Sequence, residues 1–283
     1  MPELPEVEVL VRHLKPLLVG KTIQGARVFR EKVLLPTTAA QFRETLRGAT
    51  FSDLIRRGKY LVFELESLNR KRSIKLLGHL GMTGRMYLAT KTDALPKHTA
   101  VLIDLGQENF VFEDTRYFGR LTLNLRPLDR LGPEPLERDF SLNTFSQGLR
   151  RSAQPIKVKL LDQSLVAGIG NIYASEALFR AGIAPRLSAR RLRLEQTRKL
   201  RLAIRAVLRR AINLGSTVPL NHGPDRTDGL FYFGRSADTP DFYEERQQIY
   251  DRLGHPCPNC GASIRRIVQA ARSTFFCPKC QRS

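Results

Sequence analysis

Four cysteines constrain this chain more tightly than any other feature: they stand near its end as Cys257-Pro-Asn-Cys260 and Cys277-Pro-Lys-Cys280, and there are no others. Two C-x2-C knuckles separated by sixteen residues supply four thiolates for a tetrahedral metal. Rival uses are two disulfides, which a reducing compartment disfavours, or a redox pair, which has no need of the second knuckle. The pattern predicts one structural Zn2+ held by Cys257, Cys260, Cys277 and Cys280. With four protein ligands, such an ion keeps no open position for chemistry.

Charge narrows the partner. Lys and Arg number 47 against 27 Asp and Glu in 283 residues, a formal net charge of +20. Such an excess points to a polyanion. Basic residues are spread through stretches of ordinary hydrophobic content, which favours nucleic acid over an anionic membrane. No uncharged apolar run approaches the ~20 residues that span a bilayer, and Glu3, Glu6 and Glu8 stand where a secretory leader would be basic. A cytoplasmic protein of about two domains is expected.

After Pro5, apolar Val7, Leu10, Val11 and Leu14 recur at one-face helical spacing until Pro16 and Gly20. Short β-branched and aromatic runs follow at 22–29, 60–66, 73–77, 100–105, 110–113 and 120–125, which read as an antiparallel sandwich or barrel. Gly132-Pro133-Glu134-Pro135 marks a boundary, and beyond it the chain turns helical and basic. In 194–214, Leu200, Ile204, Val207, Leu208 and Ala211 share a face, while Arg198, Arg201, Arg205 and Arg209 read as a solvated one. Residues 216–245 show no periodicity and read as a long loop.

The first residues carry the candidate chemistry. Removal of Met1 would leave Pro2 with a secondary amine, and an α-amino group titrates near ~8 against ~10.4 for Lys. Its attack on a sugar aldehyde carbon gives an iminium with no N–H proton to lose, an electron sink without a cofactor. Further on, Gly168-Ile169-Gly170-Asn171 lacks the third glycine and the βαβ setting of a dinucleotide turn. It reads instead as a tight hairpin between helices, whose backbone N–H groups and Asn171 amide suit phosphate oxygens.

Taken in order, Met1-Pro-Glu-Leu-Pro-Glu6, Arg57-Gly-Lys59-Tyr60, His79-Leu-Gly-Met82-Thr-Gly84, Asp114-Thr-Arg116-Tyr-Phe118-Gly119, Leu131-Gly-Pro-Glu-Pro-Leu136, Gly168-Ile-Gly-Asn-Ile-Tyr-Ala-Ser-Glu176 and the cysteine knuckles resemble bacterial formamidopyrimidine-DNA glycosylases over nearly the whole chain. The resemblance implies an α+β fold in three parts. These are an N-terminal antiparallel β-sandwich with its helix (1–131), a helix–two-turn–helix domain (132–246) and a zinc finger (247–283).

It also implies excision of oxidised purines, 8-oxoguanine and formamidopyrimidines, followed by β,δ-elimination at the abasic site in base excision repair. Pro2 is then the nucleophile, Glu3 the proton-handling carboxylate, Lys59 the lysine of β-elimination and Arg272 the arginine of δ-elimination. His79, His98, Lys157 and Asn171 match DNA-contacting positions, and Met82, Arg116 and Phe118 match residues that fill the hole left by an extruded base. The family's basic position before Lys157 is Ser152 here, with Arg151 or Arg150 beside it. Asp251 stands for the usual Gly, and 216–245 is longer than usual. Expected partners are double-stranded DNA carrying oxidised bases or abasic sites and no membrane, for a monomer in the bacterial cytoplasm that meets the nucleoid through DNA. Two other readings are an endonuclease VIII-like enzyme for oxidised pyrimidines, whose fourth residue is usually Gly where this chain has Leu4, and a catalytically silent lesion-binding protein.

Overall fold

The computed structural model describes residues 2–67, 72–216 and 247–282. Its contacts gather into two compact units, one built mainly from 6–129 and the other from 3–5, 130–214 and the C-terminal part.

The first unit is two antiparallel sheets plus helices. Helix α1 spans Leu4–Leu18 and buries Val7, Leu10, Val11 and Leu14 as their spacing predicts. It runs through Pro16 and ends at Leu18, between the two stop residues read from sequence. Strand β1 (Gly25–Val28) leads to α2 (Ala39–Leu46), which opens on a capping box between Thr38 and Gln41. Strands β2 (Ala49–Arg57), β3 (Tyr60–Ser67), β4 (Arg72–His79), β5 (Gly84–Thr90), β6 (Thr99–Asp104), β7 (Glu108–Asp114) and β8 (Arg120–Thr122) follow. They form sheets ordered β2-β3-β4-β8 and β1-β6-β7-β5. Phe63 of β3 meets Phe110 of β7 edge-on at 5.6 Å, so the inner faces of the two sheets touch. The architecture is a sandwich. β2 and β5 lie outside the runs read as strands, because their charged and small residues hide the alternation that cross-strand pairing restores.

A short α3 (Arg126–Asp129) closes this unit. In the second unit, α4 (Leu142–Arg150), α5 (Ile156–Lys159), α6 (Asn171–Ala181) and α7 (Leu194–Ser216) pack around Phe140, Phe145, Leu149, Ile156, Leu178, Leu200 and Leu208. The α7 arginines are not uniformly solvated. Arg201 Nε donates to Phe140 O at 2.6 Å and Arg205 Nε to Pro135 O at 2.9 Å, and both guanidinium groups lie over the Phe140 ring. Those carbonyls have no helical partner of their own, which makes the contact a structural use of charge. The long loop read at 216–245 lies, beyond its first residue, outside the described residues. Strands β9 (Arg265–Gln269) and β10 (Arg272–Phe276) form the C-terminal hairpin over a small core of Phe179, Ile249, Ile264 and Phe275. No helix among the described residues is long and apolar enough to cross a membrane.

Candidate active site

In the second unit the glycines of 168–170 exist to admit the N-terminal segment. Gly168 takes φ +84°, and a Cβ on it would meet Leu4 Cβ at 2.7 Å; one on Gly170 would stand 2.3 Å from Glu3 Cδ. Leu4 N donates to Gly168 O at 3.0 Å. Gln163 holds the turn from within, accepting from Gly168 N at 2.9 Å and donating to Ile169 O at 2.8 Å. The side chain of Glu3, buried, then crowns the start of α6. Its Oε2 accepts from Gly170 N at 2.7 Å and Tyr173 N at 3.3 Å, and its Oε1 from Ile172 N at 2.9 Å. This corrects the expectation that these amides grip phosphate. The helix N-terminus does hold an anion, but the anion is the chain's own carboxylate. Pro2, joined to Glu3 by one peptide bond, is buried as well.

Asn171, the first residue of α6, is bonded through both ends of its side-chain amide. Its Oδ1 accepts from Lys157 Nζ at 2.5 Å, and its Nδ2 donates to Ser273 O at 3.0 Å and Tyr250 Oη at 3.3 Å. One side-chain amide therefore joins α5, α6 and the C-terminal hairpin. Lys157 is 1% exposed. Burial lowers its pKa from 10.5 to about 8, with Glu3 opposing and Arg272 adding to the shift. Arg272 itself is exposed at the head of β10, after Ala270 and Ala271, both at positive φ in a two-residue turn. Arg151 lies exposed at the end of α4, and the Ser152 hydroxyl accepts from Gln154 N at 3.3 Å, shaping the turn into α5.

The fold gives two residues of the quoted motifs a local role. Glu176, buried on α6, accepts from the backbone N–H groups of Gln248, Ile249 and Tyr250, and so sets the chain's entry into the finger. Asp251 takes φ +59°, in the left-handed region that Asp tolerates better than most residues.

The four cysteine sulfurs lie within 4.8 Å of one another, with Cys257–Cys280 at 3.8 Å and Cys260–Cys277 at 3.5 Å. Ligands at the ~2.3 Å of a zinc–thiolate bond in a tetrahedron stand ~3.8 Å apart, so the residues fit one Zn2+.

The first unit brings together a second group. Lys59, mostly buried, sits in the two-residue turn between β2 and β3, after Gly58 at φ +58°. Tyr60 tilts against His79 with ring centroids 4.8 Å apart. Burial, and then the Lys59 and Arg120 charges, lower the His79 pKa to about 4. Its Nδ1 accepts from Gly81 N at 3.1 Å, which leaves the proton on Nε2 and makes that edge a neutral donor.

Beside it, the carboxylate of Asp114, fully buried, organises the loop 114–119. Oδ1 accepts from Thr83 Oγ1 at 2.5 Å and Arg116 N at 3.1 Å, and Oδ2 from Gly119 N at 2.7 Å. The loop presents Phe118, 48% exposed, with the Arg116 guanidinium 4.8 Å from its ring; Met82 is 42% exposed on the neighbouring turn. Large apolar side chains left bare on a basic protein suit stacking against bases. His98 is half-buried next to Tyr117.

The chain is similar to known proteins along nearly its whole length. Residues 1–121 match the formamidopyrimidine-DNA glycosylase N-terminal domain, 131–220 the H2TH domain of the same enzymes, and 254–282 a zinc finger found in FPG and IleRS. The formamidopyrimidine-DNA glycosylase of Thermus thermophilus is 41% identical over 289 residues, covering 99% of this chain and 98% of its own, and that of Desulfitobacterium hafniense is 40% identical over 288, covering 99% and 100%. The Lactococcus lactis enzyme, solved non-covalently bound to DNA containing an abasic site, superposes with a TM-score of 0.84 at 32% identity, covering 99% of this chain and 100% of that one. A structure of MutM with carbocyclic 8-oxoguanine-containing DNA superposes with a TM-score of 0.86 at 34% identity and full coverage of both chains.

Proposed function

This chain belongs to the formamidopyrimidine-DNA glycosylase family, DNA glycosylases with abasic-site lyase activity in base excision repair, and from that premise we propose which of its own residues carry the reaction and on which lesion. The nitrogen of Pro2, freed by removal of Met1, attacks C1′ of a damaged nucleotide drawn out of the duplex. The base leaves, and the sugar ring opens to an iminium. Glu3 manages the protons of that opening. The observation that carries this reading is the placement of Glu3: one residue from the amine, its carboxylate is fixed by three backbone N–H donors to the start of α6.

Elimination from the iminium expels the 3′ and then the 5′ phosphate. Lys59 serves the first and Arg272 the second. His79 offers its Nε2–H to a phosphate as a neutral donor, and Lys157, His98, Arg151 and Asn171 complete the DNA-binding set. Met82, Arg116 and Phe118 enter the space vacated by the base. The planar N–H donors of Arg116 suit the O2 and N3 acceptors of an orphaned cytosine. The preferred lesion is thus an oxidised purine opposite cytosine. Zinc at the four cysteines supplies structure alone, holding the hairpin that carries Arg272. We place the functional parts at 1–131, 132–246 and 247–283, in a monomer that acts in the bacterial cytoplasm on nucleoid DNA.

The test is incubation with duplexes bearing 8-oxoguanine or an oxidised pyrimidine, with and without borohydride. A covalent protein–DNA species and strand scission on the first, weak on the second, is expected. Preference for the pyrimidine would move the chain to the endonuclease VIII reading; binding without trapping or scission would make it a lesion-binding protein.

A further inference from the structure

Tyr117, between Arg116 and Phe118, has φ +52°. A bulky aromatic residue adopts the left-handed region only where its surroundings hold it there. Those surroundings are specific. The Arg30 guanidinium lies 5.3 Å from the centroid of the Tyr117 ring, the His98 ring meets it edge-on at 6.3 Å, and the Tyr117 hydroxyl is 3.5 Å from His98 Nδ1. Each partner is anchored by its backbone: Arg30 N donates to Ala100 O at 3.2 Å, and His98 O accepts from Asp114 N at 3.1 Å. Asp114 closes the loop from the other side through Arg116 N and Gly119 N. The left-handed residue turns the chain between its two neighbours, and across that turn the Arg116 guanidinium stacks on Phe118 at 4.8 Å.

We propose that Arg30 and Tyr117 are positioning residues for recognition of the base opposite the lesion: the Tyr117 ring, held under Arg30, keeps residue 117 left-handed and so keeps Arg116 and Phe118 stacked and aimed. This rests on the reading that Arg116 and Phe118 fill the vacated space. Neither Arg30 nor Tyr117 needs to touch the reacting atoms.

The experiment is single-turnover excision of 8-oxoguanine opposite cytosine and opposite adenine, beside scission of single-stranded DNA at a preformed abasic site, with thermal unfolding to show that each variant is folded. Arg30→Ala should lower the cytosine-to-adenine ratio by about two- to five-fold, the value of an exposed cation–π contact, with single-strand scission unchanged. Arg30→Lys, which keeps the cation, should retain more of the ratio. Tyr117→Val, whose β-branch disfavours positive φ, should lose at least as much as Arg30→Ala. Tyr117→Gly, which takes the left-handed region without help, should keep the ratio and make it insensitive to Arg30→Ala. If Arg116→Ala flattens the ratio while Arg30→Ala and Tyr117→Val leave it at the parent value, the positioning role is overturned and the Arg116 reading stands. A ratio unmoved by Arg116→Ala overturns both.

Discussion

Replacing Gly170 by alanine should displace Glu3 without straining the backbone. Gly170 has φ −129° and ψ −156°, extended values open to alanine. The added Cβ, however, would stand 2.3 Å from Glu3 Cδ and 2.4 Å from Oε1, inside any real contact distance. The carboxylate must leave, and with it go the bonds at 2.7 and 2.9 Å from Gly170 and Ile172. At about 1.5–3 kcal/mol for a hydrogen bond to a charged group, the loss is about 3–6 kcal/mol, part of which water returns to the freed groups. A net cost of about 3 kcal/mol lowers Tm by about 5 °C for a chain of 283 residues. Borohydride trapping should fall by about 100-fold or more, the range of a lost general acid–base group, although Pro2 is untouched. The cycle with Glu3→Ala isolates the cause. In that background there is no carboxylate to collide with, so Gly170→Ala should cost little further stability. An equal loss in both backgrounds, measured by thermal or urea unfolding, would refute the steric argument.

Other outcomes follow from the same geometry. With Met1 retained, the Pro2 nitrogen is a tertiary amide, so an uncleavable N-terminal tag should abolish trapping and scission; full trapping by protein that mass spectrometry shows to carry Met1 would sink the nucleophile assignment. Cys257→Ser or Cys280→Ser should lower zinc content and DNA affinity together, read by metal analysis and fluorescence anisotropy, because the Arg272 hairpin has little core beyond Ile249, Ile264 and Phe275. Lys157, held at about 8 by burial, is charged below that value and neutral above it. Affinity for an abasic-site duplex should therefore weaken as pH rises from about 7 to 9, a step that Lys157→Met should lack. His79, at about 4 against an ordinary 6.5, stays neutral while the unfolded chain takes up a proton. Its contribution to stability is complete above 6.5 and declines as pH falls from 6.5 toward 4, so His79→Gln should flatten the acid limb of unfolding midpoints against pH.

Local chemistry carries a long way in this chain. The knuckle spacing of Cys257, Cys260, Cys277 and Cys280 specifies a four-thiolate site because ligand number and spacing are properties of a short segment. Val7, Leu10, Val11 and Leu14 declare the face of α1 by period alone, and Pro2 suggests its proposed chemistry because removal of Met1 would leave a secondary amine. What required tertiary structure is every assignment that depends on a distant partner. The turn at 168–170 offers amide donors, yet only the return of the N-terminus beneath it shows that Glu3 takes them, across more than 160 residues of chain. Arg201 and Arg205 look solvated until the carbonyls of 135–140 arrive beside them. Lys157 matches a DNA-contacting position in sequence, but its enclosure is visible only in the fold, since burial of a charge depends on which neighbours desolvate it and not on its own type. The left-handed Tyr117 is likewise invisible in Asp-Thr-Arg-Tyr-Phe-Gly. Tyrosine has no preference for that conformation, and the contacts that impose it come from Arg30 and His98, on segments far away in the chain.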